Sequence, residues 1–110
     1  LAVKETITAW VDNMNQNPEW IRDTEVVYQL EIYGEGIHQL RLKRGAAEYR
    51  GEEALPSDCT IQLSEKNFIK LAEGRLNPTT AFMTGKLKVK GDLSLALRLS
   101  SLLKQFSGTA

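Results

Sequence analysis

The chain has 110 residues, which fits one hydrophobic core and one domain over 1–110. Fourteen basic side chains balance fourteen acidic ones, so no global field draws it to nucleic acid, and any membrane contact is at most transient. A single cysteine, Cys59, excludes an intrachain disulfide and suits a reducing, cytoplasmic setting, and no uninterrupted apolar run is long enough to span a membrane.

Val3, Ile7, Trp10, Val11 and Met14 recur at helical spacing and predict an amphipathic helix over 2–14. Asn13, Asn15, Asn17 and Pro18 end it, and Pro18-Glu19-Trp20 adds a turn. Both tryptophans are expected to cover a core edge. From Glu25 the period changes to two. Val26, Tyr28, Leu30 and Ile32 share one face; Val27, Gln29, Glu31 and Tyr33 share the other. Gly34-Glu35-Gly36 reads as a hairpin loop, 37–43 as a strand with Leu40 and Leu42 inward, Arg44-Gly45 as a turn and 46–50 as a third strand. A polar run over 51–58, broken by Pro56, precedes a fourth strand through Cys59, Ile61 and Leu63. The expected arrangement is an antiparallel meander, apolar on one face and wet on the other.

Ser64 caps a helix over 64–73 whose apolar face is Phe68, Ile69, Leu71 and Ala72, and Gly74 stops it. Pro78 opens a short helix that Gly85 closes. Lys86, Leu87, Lys88, Val89 and Lys90 alternate as a fifth strand, Gly91 turns the chain, and Asp92 caps a Leu-rich helix over 92–106. The apolar residues of that helix, from Leu93 to Phe106, cover roughly 220°, well beyond the ~100° stripe needed to pack on one sheet. Its polar sector is narrow: Ser94, Arg98, Ser101 and Gln105. The element order gives an α+β fold, a five-stranded mainly antiparallel sheet covered on one face by helices.

Catalytic and metal templates find no support. His38 is the lone histidine, within a strand, and Cys59 has neither a second thiol nor a basic neighbour, so both read as packing residues. Thr84-Gly85-Lys86-Leu87 lacks the earlier glycine and the hydroxyl residue of a phosphate loop. No cofactor, metal or catalytic group is expected. Lys86, Lys88 and Lys90 project from one strand face and guard an edge, a weak anionic headgroup contact being the functional alternative. What remains is apolar surface in excess: Phe82, Met83, Leu87, Val89 and the Leu-rich helix are placed to frame a cavity.

The run NPTTAFMTGKLKVKGDLSLALRLSSL closely resembles the signature region of the sterol carrier protein type-2 domain, and DCTIQLSEKNFIKLAEGRLNP before it resembles the same family. The resemblance covers nearly the whole chain and is loose before Glu25. It implies an apolar tunnel between sheet and helices that binds fatty acids, acyl-CoAs, sterols or other lipids without transforming them. The positions that match the lining are Ile61, Leu63, Phe68, Leu71, Phe82, Met83, Leu87, Val89, Leu93, Ala96, Leu97 and Leu103. The chain lacks the peroxisomal tail and has a longer first helix, so it is closer to a stand-alone bacterial or archaeal member. The implied function is non-catalytic carriage of a hydrophobic small molecule. The alternative is an accessory module of a larger enzyme system that presents a lipid-like substrate.

Overall fold

The computed structural model describes residues 3–107, with side chains through Gln105. The expected helical positions Ala2 and the Phe106 side chain lie outside that set. Helix α1 is Val3–Gln16, followed by a single 3-10 turn at Pro18–Trp20. Strands β1 (Val26–Ile32), β2 (Gly36–Lys43), β3 (Ala46–Arg50) and β4 (Cys59–Leu63) come next. Then follow α2 (Glu65–Ala72), α3 (Pro78–Met83), β5 (Leu87–Gly91) and α4 (Leu93–Ser107).

Turn chemistry sets the β1–β2–β3 ribbon. Gly34 and Gly36 take positive φ at the first hairpin, and Arg44 (φ 53°) with Gly45 (φ 77°) makes the tight second one. β1 pairs antiparallel with β2 from Val26↔Leu42 to Ile32↔Gly36, and β2 pairs with β3 so that Leu40 faces Tyr49. The fourth strand does not continue this meander. β4 pairs parallel with β1, Leu30 opposite Ile61, and β5 closes the sheet antiparallel to β4 in the order β3-β2-β1-β4-β5. The sheet is therefore mixed.

The cause lies in the run 51–58, which is a crossover and not a hairpin turn. It passes over the outer face, where Gln39 donates to Leu55 O at 2.8 Å and accepts from Leu55 N at 3.1 Å. It ends on β1, where Asp58 N donates to Val27 O and Asp58 Oδ2 accepts from Val27 N. The outer face is thus not uniformly wet: Gln29 and Gln39 are buried and joined side chain to side chain at 2.8 Å. Further along, Glu31 accepts from Gln62 and Gln29.

The inner face carries Tyr28, Leu30, Leu40, Leu42, Ile61 and Leu63, all at most 2% exposed, and the helices cover it. Ile7 and Met14 from α1, Phe68 from α2, and Leu99 and Leu103 from α4 complete that core. Trp10 packs on Phe68 with ring centroids 5.4 Å apart, and Trp20 is half-buried at the margin, so both tryptophans cover core edges. Each short helix has its cap: Ser64 Oγ accepts from Asn67 N, and Asn77 Oδ1 accepts from Thr80 N. At the head of α4, Asp92 Oδ1 accepts from Ser94 N at 2.9 Å and from Ser94 Oγ at 2.6 Å.

Candidate functional site

The expected lining residues divide by burial. Ile61, Leu63, Phe68, Leu71, Leu87, Ala96 and Leu103 are buried in the shared core. Val89 packs against that core and Leu97 is half-buried. Phe82, Met83 and Leu93 are open to solvent at 40%, 79% and 36% exposure.

Local structure accounts for that division. Helix α3 is a six-residue segment held between Asn77 and Thr84, and it turns only Ala81 inward. Phe82 and Met83 fall on its outer side. Leu93 is the first residue of α4, where the helix leaves the tight Gly91 turn. Helix α3 lies against both β5 and α4, the elements on which Leu87 and Ala96 are buried. Large apolar groups left in water beside a core are the mark of a surface that something covers.

Four concave surfaces lie elsewhere among the described residues, and sequence reasoning missed the two that follow. A groove of about 440 Å³ runs between α1 and α2, with Ala9, Trp10, Ile69 and Ala72 as its apolar lining and Glu5 and Glu73 among its polar groups. Its signal in the sequence is that Ile69 and Ala72 widen the apolar face of α2 beyond what Phe68 and Leu71 need. A smaller cleft of about 190 Å³ sits beside α4, where Arg98, Ser101 and Gln105 meet Trp20, Thr24 and Leu42. Its signal is the narrow polar stripe of an otherwise leucine-rich helix. None of the expected lining residues lines either surface.

Among the described residues, the buried polar side-chain atoms are paired except Arg50 Nε. Tyr28 donates its hydroxyl proton to Leu95 O at 2.7 Å, tying sheet to α4, and burial holds its pKa far above the usual tyrosine range. His38 lies on the inner face, not simply along a strand. Its Nε2–H donates to Glu35 O at 2.8 Å, so Nδ1 accepts from Tyr49 OH at 2.7 Å. Burial pushes the Cys59 thiol up to about 11, a poor nucleophile at neutral pH. Hydrogen bonds from Gln62 and Gln29 hold Glu31 below the usual carboxylate range. Among the described residues, no three His, Cys, Asp or Glu side chains gather in a way that could hold a metal ion, and no helix is long and apolar enough to cross a membrane.

A mixed five-stranded sheet covered on one face by helices defines a small α+β fold. The model of the SCP-2 sterol transfer family matches residues 7–104. The chain belongs to that family. Hydroxysteroid dehydrogenase-like protein 2 of Mus musculus is 38% identical over 109 residues, a match covering 96% of this chain and 22% of the relative. The chain spans about a quarter of the length of the curated relatives it matches. Among solved structures, sterol carrier protein domain 2 of Helicoverpa armigera superposes with a TM-score of 0.76 at 25% identity, covering 96% of this chain and 87% of that one. Sterol carrier protein 2 of Yarrowia lipolytica, in its apo form, gives a TM-score of 0.73 at 27% identity, covering 91% and 85%.

Proposed function

We propose that this chain, as one domain, binds the apolar body of a fatty acid, acyl-CoA or related lipid without transforming it, and admits that body where α3 meets the first half of α4. The observation that carries the reading is the exposure of Phe82, Met83 and Leu93 on α3 and α4, two helices that pack on each other and on β5. Displacing water from such a surface supplies ~0.8 kcal/mol for each methylene the ligand buries. Ligand entry then parts α3 from α4 and brings half-buried Leu97, and Val89 at the core margin, against the ligand. Buried, unpaired Cys59 supports a reducing compartment such as the cytoplasm.

The test compares two leucines of α4. Leu97→Phe fills space at the margin and is expected to weaken fluorescent fatty-acid binding about tenfold, ~1.4 kcal/mol, with melting temperature unchanged or raised. Leu99→Ala, at a position 1% exposed, is expected to cost about 2–5 kcal/mol of stability. Full affinity in Leu97→Phe overturns the reading at that position. Native mass spectrometry of freshly purified protein identifies the ligand class by any co-purified lipid.

A second reading has its own support. The curated relatives are about four times as long as the matched region, which supports reading the chain as a module that would present a lipid-like substrate within a larger enzyme system. In that setting Phe82 and Met83 contact a neighbouring domain. Amide exchange over 78–85, measured with and without that neighbour, separates the two readings.

A further inference from the structure

The polar stripe of α4 is exposed, and three of its residues, Arg98, Ser101 and Gln105, also line a cleft. Arg98 and Ser101, one helical turn apart, form one side of the cleft of about 190 Å³ beside β1 and β2, and its apolar walls are Trp20, Leu42 and Leu102. The lining contains one cation and no carboxylate. Arg98 makes no ion pair among the described residues; its Nη2 donates to the neutral Thr24 Oγ1 at 3.3 Å. That contact steadies the guanidinium and uses one of its five N–H donors. The Ser101 hydroxyl and the Gln105 amide have no hydrogen-bond partner among the described residues. The Tyr28 hydroxyl at the cleft donates to Leu95 O and makes no hydrogen bond with Arg98.

A forked cation with free donors, a neighbouring hydroxyl and apolar walls matches a carboxylate carried on carbon. The volume is below the roughly 300 Å³ at which pockets begin to enclose a drug-sized ligand, so an entire long acyl chain does not fit. We infer that this cleft binds a carboxylate group through Arg98 and Ser101, with the first carbons of its chain against Trp20, Leu42 and Leu102. The carboxylate belongs either to a short-chain acid or to the head of a fatty acid. This inference stands apart from the α3–α4 reading, because the cleft shares no residue with that patch.

Two-dimensional NMR of the intact chain separates the two indole N–H signals: Trp20 reports the cleft and Trp10, on α1, is the internal control. Hexanoate is expected to shift Trp20 saturably and leave Trp10 in place. Hexanol, equal in length but uncharged, is expected to bind about tenfold more weakly, and Arg98→Gln to weaken hexanoate by about tenfold. Equal binding of hexanol and hexanoate overturns the inference without recourse to any variant. So does unchanged hexanoate affinity in folded Arg98→Gln, or a shift confined to Trp10. A palmitate arm distinguishes the sources. Parallel weakening by Arg98→Gln assigns the site to a fatty-acid head, and weakening of hexanoate alone assigns it to a free short acid. If the wild type ignores palmitate altogether, the carrier reading fails while the hexanoate arm still decides the cleft.

Discussion

Cys59 is fully buried on the inner face of β4, and its thiol ionises near 11 in the fold against about 9.0 when free. Between those values the unfolded chain has released a proton that the folded chain still holds. The thiol's contribution is therefore intact below pH 9, falls as pH rises towards 11, and levels off above it. Other groups titrate there too, Tyr28 among them, so the measurement is a difference: Cys59→Ala should lose less stability than wild type between pH 9 and 11 in urea melts. His38 makes a separate prediction. Its removal strands the Tyr49 hydroxyl and a turn carbonyl, and His38→Ala is expected to cost about 1–3 kcal/mol with lipid affinity within a few-fold of wild type. The inward aim of His38 was legible in the alternation of β2, which puts it on the face of Leu40 and Leu42; its partners Tyr49 and Glu35 O were not. Gly91 has φ +98°, and a Cβ there would stand 2.5 Å from Asp58 O. Gly91→Ala should cost about 3 kcal/mol or more in the same melts, since the obstacle is backbone that cannot swing aside.

Among the elements, α4 shows how much is legible in residues alone. Asp92, Leu99 and the polar stripe could be placed from chemistry and a 3.6-residue period, and the structure puts Leu99 in the core and leaves Leu97 half-buried. The anchor from Tyr28 to Leu95 O was not legible, because a strand period gives a face and not a partner 67 residues away. Tyr28→Phe is expected to lose about 1 kcal/mol of stability in urea melts, with near-native secondary structure by circular dichroism. The neighbour of β4 was equally hidden: alternation has no direction, so a parallel partner reads like an antiparallel one. The clue lay in the connection, since the eight residues 51–58 exceed what a hairpin needs. The division of the lining residues had another cause. Resemblance places positions along the chain, but only the short span of α3 decides that Phe82 and Met83 face outward while Ala81 faces in.

At the scale of the molecule, the sheet has two open edges, and the chain blunts each differently. On β5 the blunting is by charge, with Lys88 and Lys90 exposed. On β3 it is by mimicry: Asn15 of α1 accepts from Ala47 N at 2.8 Å and donates to Ala47 O at 3.0 Å, the pair of bonds a further strand would make. Asn15→Ala is therefore expected to cost about 1–3 kcal/mol and to promote concentration-dependent association, seen by light scattering.

The parallel pairing of β1 with β4 has a consequence in time. β1, β2 and β3 can zip together through tight turns, whereas β4 joins β1 only after the intervening chain has been drawn across. Closing that loop costs entropy before its contacts repay it. The ribbon of β1 to β3 should therefore form early and the β4–β5–α4 half dock late. In refolding kinetics, Leu42→Ala should mainly slow folding, while Val89→Ala should mainly speed unfolding. The half that arrives last carries α4 and the strand beside the exposed apolar patch. The surface proposed to receive a lipid would then also be the first to loosen when the native protein breathes.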